Sequence, residues 1–267
     1  MLGPLIANGR TSDVYRFGAD SAAKVLSPAT PPHWAEVEAA FTTAVRGLGI
    51  PAPEVRDVTV IDGRAAVIFE RVDGPSMWQR MLDQPTDVST LVRQLVMIQR
   101  SIHEAGVPDG VPSLVDRLRL KCSASNELDA DERASVAELL DQQPVGGALL
   151  HGDLHPRNVL LGRDGPVVID WFDATVGHPT ADIARTLLLL SGGATDLRHL
   201  PGATPDLIAS IQTEFAASVR GSVSPRSLHT WRRLRAAGRL AERTDLDVSG
   251  LLAIWRDTTP GSVAGDD

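Results

Sequence analysis

The run His151-Gly152-Asp153-Leu154-His155-Pro156-Arg157-Asn158 leads into Val159-Leu160-Leu161, a Gly162-Arg163-Asp164-Gly165-Pro166 turn signal and Val167-Val168-Ile169-Asp170. No other stretch constrains this chain as strongly. Two short apolar runs split by glycine and proline predict a tight hairpin, which brings the residues at its open ends side by side. Asn158 and Asp170 stand at those ends, and Asp153 precedes Asn158 by five residues. One carboxylate to orient a hydroxyl nucleophile, with an amide oxygen and a second carboxylate to reach a metal, is the set that phosphoryl transfer requires. Mg²⁺ prefers hard oxygen ligands and keeps several waters, so Asn158, Asp170 and nucleotide phosphates make a consistent coordination set. Turn chemistry accounts for a capping Asp153 or a strand-ending Asp170 singly, but rarely for all three at this spacing.

Composition bounds the rest. A chain of 267 residues with 43% hydrophobic content can bury a sizeable core as one large domain or two lobes. A net charge of −8 argues against a broad nucleic-acid or anionic-membrane surface and suits a cationic acceptor better. The single cysteine, Cys122, excludes an internal disulfide and a multi-cysteine metal site. It falls in Leu118-Arg119-Leu120-Lys121-Cys122, a helical stretch, where a buried, idle thiol is expected. Met1-Leu2-Gly3-Pro4 lacks a basic region before an apolar stretch, and no segment approaches bilayer-spanning length, so a cytoplasmic protein is expected.

Along the chain, residues 14–17 and 22–26 read as short strands, and 54–61 and 64–70 as a hairpin turning at Asp62-Gly63. Between them, Val37, Phe41, Ala44, Val45 and Leu48 recur at helical spacing, and Gly49 and Pro51 stop the helix predicted over 33–48. After Asp73-Gly74-Pro75 the pattern becomes helical. Leu91, Leu95, Ile98 and Ile102 mark one long helix, and further helices are predicted at 131–141, 179–190, 205–220 and 225–242.

The blocks HGDLHPRN, VVIDW and GHPTADIA (Gly177 to Ala184) resemble those of the aminoglycoside phosphotransferase family, small-molecule kinases that share the protein-kinase-like fold. The resemblance implies a bilobal α+β fold: a small β-rich, nucleotide-binding N-lobe over 1–72 and a larger, mainly helical C-lobe over 73–267 that carries the catalytic loop, metal site and acceptor pocket. It implies ATP, or GTP, as phosphoryl donor, Mg²⁺, and a small-molecule hydroxyl as acceptor. Asp153 would be catalytic and Asn158 and Asp170 metal ligands. Lys24 lies inside the apolar run Ala22-Ala23-Lys24-Val25-Leu26, where a cation needs a partner. In kinase-like folds such a lysine pairs the nucleotide phosphates and is held by a helix glutamate. Glu36 and Glu38 are the candidates, and counting back from the Gly49-Ile50-Pro51-Ala52-Pro53 block favours Glu38. Ala7 to Asp13 sits where a phosphate-covering loop belongs, with Gly9, Thr11 and Ser12 as contacts, although it lacks a GxGxxG pattern. Phe69 to Gly74 resembles the hinge, whose Glu70 carbonyl and Val72 amide would read the base.

Other residues receive quieter expectations. His151 is expected to brace the loop, and Asp182 to cap a helix and brace the loop. Arg117, Arg119, Lys121 and the run Arg232-Arg233-Leu234-Arg235 read as solvated helix faces, and Asp173, Glu214, Glu242 and Asp257 as surface charges. Gly152 stands where protein kinases carry an arginine, Trp171-Phe172 stands where they carry Phe-Gly, and an Ala-Pro-Glu block is missing. These departures disfavour a regulated protein kinase. A metabolic kinase of a sugar or amino alcohol and a catalytically idle nucleotide-binding scaffold are the alternatives.

Overall fold

The computed structural model describes residues 2–9, 11–191, 202–242 and 247–259. The N-lobe is an antiparallel sheet of β1 (Leu2–Asn8), β2 (Ser12–Phe17), β3 (Ser21–Leu26), β4 (Val55–Ile61) and β5 (Arg64–Glu70), in the order β1-β2-β3-β5-β4. Asp62 and Gly63 join β4 to β5 with φ of 50° and 76°, the paired positive values that a two-residue hairpin turn requires. β1 is an edge strand that the sequence pattern does not announce. Pro4 interrupts its alternation, and its side chains from Gly3 to Asn8 are exposed.

Strand alternation decides where Lys24 goes. Ala23 and Val25 pack with Ala66 and Ile68 on one face of the sheet. Leu26 packs on the other with Val67, Ala35 and Ala39. Side chains alternate with period two, so Lys24 shares the face of Leu26 and meets α1 (Trp34–Gly47). That helix stops where Gly49 takes a φ of 83°. Its buried face is Ala35, Glu38, Ala39, Thr42 and Val45, rotated from the expected stripe, and Glu36 and Leu48 are exposed. Ala35 and Ala39 let the helix approach the sheet closely, and Lys24 makes burial of Glu38 tolerable.

The C-lobe begins with α2 (Met77–Asp83), α3 (Val88–Glu104), α4 (Leu114–Ser123) and α5 (Ala130–Asp141). Strand β6 (Ala148–Leu150) precedes the hairpin of β7 (Val159–Gly162) and β8 (Gly165–Val168), and β9 (Thr175–Gly177) returns to pair with β6. Helices α6 (Pro179–Leu190), α7 (Pro205–Val219), α8 (Pro225–Leu240) and α9 (Val248–Arg256) complete the described part. The short α2 and α9 escape the periodicity reading. Side chains of Ser76, Ser113, Asp129, Thr204, Ser224 and Asp247 accept backbone N–H groups at helix starts. One core gathers α2, α3, α7, the hairpin and Trp171; a second gathers α4, α5, α6, α8 and α9. Cys122 is buried in the second, and burial pushes its thiol up to about 12. Among the described residues no helix is long and apolar enough to cross a membrane.

The linker between lobes is stitched to the hairpin. Leu161 N donates to Pro75 O at 2.8 Å, and Ser76 bridges Leu160. A Cβ on Gly74 would collide with the Leu161 carbonyl, so this close approach requires glycine. Pro51 O accepts from Val168 N at 2.8 Å, fixing the hairpin a second time against the segment that follows α1.

Candidate active site

The hairpin does what its sequence promises: Val159 pairs with Val168, and Ile169 N donates to Asn158 O at 3.0 Å. Asn158 and Asp170 thus lie at neighbouring positions at its open end. Asn158 Nδ2 donates to Asp153 O at 2.9 Å, which commits the amide nitrogen and leaves Oδ1 as the hard atom for a metal. Asp170 takes a left-handed backbone, φ 67° and ψ 61°, which a non-glycine residue adopts only where its surroundings impose it. Those surroundings include Trp171, fully buried with its Nε1 donating to Val168 O at 3.0 Å, and Phe172, which stacks on Trp34 of α1 with ring centroids 4.1 Å apart.

Lys24 joins the lobes. Its Nζ lies 2.6 Å from Glu38 Oε1 and 2.9 Å from Asp170 Oδ1. Glu38, rather than the exposed Glu36, is the helix carboxylate that meets the lysine. Burial alone would lower the Lys24 pKa, but Asp170 and Glu38 outweigh it and hold the ammonium charged. Burial, with repulsion from Asp170, raises the Glu38 pKa despite Lys24.

The loop around Asp153 is held from behind by buried charges. His151 Nδ1 accepts from Asp153 N at 3.2 Å and its Nε2 faces Ile169 O at 3.0 Å, so the neutral ring braces both arms of the site. Burial keeps its pKa low. Gly152 has a φ of +82°, and a Cβ there would strike the Asp173 carbonyl. Its N–H donates to Asp182 Oδ1 at 2.9 Å, and its carbonyl accepts from Arg185 Nε at 3.1 Å and an Arg235 amine at 3.4 Å. Asp182 is fully buried and also meets Gln99 Nε2 at 3.1 Å and His103 Nε2 at 3.0 Å. It braces the loop but does not cap α6, where the His178 side chain takes that role.

Asp153 is one-quarter exposed. Arg185 donates to its Oδ1 at 3.1 Å, and His155 Nε2 lies 3.5 Å from Oδ2. Burial would raise its pKa, but His155 and Arg185 outweigh burial and hold it well below the usual carboxylate range.

Sequence reasoning missed this cationic shell. Arg185, Arg235 and Arg239 are all buried. Arg235 therefore does not lie on a solvated face, and Arg117 and Lys121 turn toward Asp173 at 3.3 and 4.0 Å. Glu242 is no surface charge either: Lys121 and Arg185 approach it at 2.8 and 3.4 Å, and Arg239 pairs with it as well. A signal existed, since Trp231, Arg235 and Arg239 recur every four residues and so share a helix face that a tryptophan marks as buried.

The residues expected to face a nucleotide lie around the sheet. Ser12 starts β2 opposite Leu26 and is buried, and the turn before it closes through Gly9 N to Ser12 O at 2.9 Å; Arg10 lies outside the described residues. Glu70 ends β5 opposite Ser21, with its N–H donating to Glu54 O at 2.8 Å. Val72 follows in the linker, close against Gly162 of the hairpin.

Among the described residues no group of three or more His, Cys, Asp or Glu side chains is arranged to hold a metal. Among the described residues Asn158 and Asp170 offer a partial oxygen set, whose chemistry would fit a Mg²⁺ completed by phosphates and water and not a closed structural site.

Residues 3–209 match the phosphotransferase enzyme family. This chain belongs to that family. A thermostable mutant of aminoglycoside phosphotransferase APH(4)-Ia, in ternary complex with ADP and hygromycin B, is 16% identical with a TM-score of 0.64, covering 99% of this chain and 96% of its own. A choline/ethanolamine kinase family protein from Mesorhizobium loti is also 16% identical, with a TM-score of 0.56 and coverages of 96% and 81%. These likenesses extend to the fold. The uncharacterized protein YcbJ of Bacillus subtilis (strain 168) is 24% identical over 163 residues, a stretch spanning about half of each chain, 55% of this one and 53% of YcbJ.

Proposed function

We propose that this phosphotransferase moves the γ-phosphoryl group of ATP, or of GTP, to a hydroxyl of a small molecule with the help of Mg²⁺. An aminoglycoside or other antibiotic is one candidate acceptor class, which would make the protein a resistance enzyme; sugars and amino alcohols are another. The observation that carries the reading is Lys24 Nζ held between Glu38 and Asp170, at 2.6 and 2.9 Å, above a hairpin that sets Asn158 beside Asp170. A scaffold without catalysis gives no reason to keep a buried lysine, its glutamate and a left-handed aspartate in register.

In this reading the residues 1–72 bind the nucleotide. Glu70 O and Val72 N–H read the base, the Ser12 turn covers the phosphates, and Lys24, positioned by Glu38, neutralises them. Asn158 and Asp170 hold the metal, which when bound neutralises phosphate charge. Asp153 accepts a hydrogen bond from the acceptor hydroxyl and aligns its oxygen with the γ-phosphorus. The bond from that phosphorus to the bridging oxygen breaks as the bond to the acceptor oxygen forms, giving ADP, a phosphomonoester and one proton. The low pKa that Arg185 and His155 impose makes Asp153 a weak base, so its main contribution is alignment, with the proton passing late.

The test is release of ADP from MgATP by the purified protein against aminoglycosides, other hydroxylated antibiotics, hydroxy acids, sugars, sugar phosphates and amino alcohols. Turnover with at least one acceptor, lost in excess EDTA, is expected. Undiminished turnover in EDTA rejects the metal assignment.

A further inference from the structure

Behind Gly152 lies a small pocket, about 10 Å³ of enclosed space that opens toward solvent, between α4, the loop around Asp153 and α8. Its charged lining is Arg117, Lys121, Arg185 and Arg235, against Asp173 and Glu242. Arg185 also touches Asp153, so the pocket adjoins the carboxylate assigned to the acceptor hydroxyl. The carboxylates here are already engaged. Glu242 serves Lys121, Arg185 and Arg239, and Asp173 serves Arg117 and lies 4.0 Å from Lys121.

Arg235 is left over. It is 7% exposed, and its one hydrogen bond is the long contact to the Gly152 carbonyl, which Arg185 shares. Its buried Nε has no partner, and among the described residues no carboxylate pairs with it. Asp182, Asp173 and Glu242 act on it only at longer range and each already meets another group, so the lining holds more cations than carboxylates and suits an anion that arrives with a ligand. Burial and the neighbouring Arg185 push its pKa down to about 10, so it remains a cation at neutral pH. The pocket thus runs opposite in sign to the chain as a whole, and a polycation would meet Arg117, Lys121, Arg185 and Arg235 there.

We infer that the acceptor carries an anionic oxygen group, a carboxylate or a phosphate, which Arg235 and Arg117 hold in this pocket while a hydroxyl of the same molecule reaches Asp153. The inference rests on the proposed phosphoryl transfer for the role of Asp153. It narrows the substrate class from small alcohols in general to hydroxylated anions, and turns it away from cationic aminoglycosides.

The test titrates the protein, its nucleotide site filled with Mg-AMP-PNP, with inorganic phosphate, D-gluconate, glucose 6-phosphate, uncharged glucose and kanamycin. Calorimetry or thermal shift is the readout. At least one anion is expected to bind where glucose and kanamycin do not, and the stronger of gluconate and glucose 6-phosphate tells carboxylate from phosphate. Arg235→Gln and, separately, the partly exposed Arg117→Gln should each weaken anion binding by roughly tenfold or more, with Arg235→Lys recovering part of the loss. Anions that bind no better than glucose, tighter binding of kanamycin, or anion affinity indifferent to both glutamine variants overturns the inference. Should Arg235→Gln not fold, Arg117→Gln carries the same comparison. Failure of phosphoryl transfer itself shows differently, as no release of ADP from MgATP with any hydroxylated acceptor whatever the anions do.

Discussion

At Asp153 the local chemistry separates alignment from binding. The residue touches Arg185 and His155, whereas Lys24 contacts Glu38 and Asp170. Asp153→Asn is therefore expected to lower turnover by about a hundredfold to ten-thousandfold while calorimetric affinity for MgATP stays within about twofold. A variant that keeps most of its turnover makes Asp153 a structural residue only. Lys24→Ala should weaken or misalign the nucleotide, and Glu38→Ala should give a milder form of the same defect. Glu36→Ala should be silent, because Glu36 is exposed on the far side of α1. Steady-state kinetics of the three variants decides this, and a defect confined to Glu36→Ala would refute the ion-pair assignment.

Among the elements, α6 is the brace of the loop around Asp153. Asp182 takes the Gly152 N–H and Gln99 Nε2 and faces His103, all out of water, so Asp182→Ala strands several polar groups at once. The expected cost is about 3 to 5 kcal/mol in urea unfolding, and a loss under about 1 kcal/mol would show that the brace is dispensable. The stack of Trp34 on Phe172 ties the first turn of α1 to the residues after Asp170. Trp34→Ala should therefore lower turnover as well as stability, since α1 also carries Glu38. Equal turnover in the folded variant would disconnect the two.

For the whole molecule, acid stability follows from carboxylates held by cations. Burial opposes ionisation of Asp182 and Glu242, but His103 and Arg235 around the first, and Arg185, Lys121 and Arg239 around the second, depress both pKa values strongly. Groups whose folded pKa is depressed stabilise the fold above their unfolded pKa and lose that contribution as pH falls toward the folded one. Unfolded reference values of 3.8 and 4.5 mean that stability should hold through neutral pH and fall steeply below about pH 4.5. Chemical denaturation from pH 3 to 8 measures it; stability that is flat below about pH 4.5 contradicts the assignment. Nucleotide should stabilise the same molecule, since MgATP at about 100 times its Kd contributes about 2.7 kcal/mol, or roughly 5 °C in Tm. Asp170→Ala should erase the Mg²⁺-dependent part of that shift.

The sequence alone determined whatever depends on near neighbours in the chain. The hairpin that sets Asn158 beside Asp170 follows from apolar runs and a turn signal, the strand around Lys24 from its composition, and the end of α1 from Gly49 and Pro51. Only tertiary structure decided which distant groups meet. Period two sends Lys24 to the α1 face, but the burial of Glu38 in place of Val37 depended on how closely Ala35 and Ala39 let the helix settle on the sheet. Arg185 of α6 and Arg235 and Arg239 of α8 look like ordinary solvated charges in sequence. They are buried because α6, α8 and the loop around Asp153 pack together, and the charges of Asp153, Asp182 and Glu242 that surround them come from separate segments of the chain. Charge compensation over such separations leaves no local pattern, which is why the anion-seeking pocket behind Gly152 emerges only in the folded molecule.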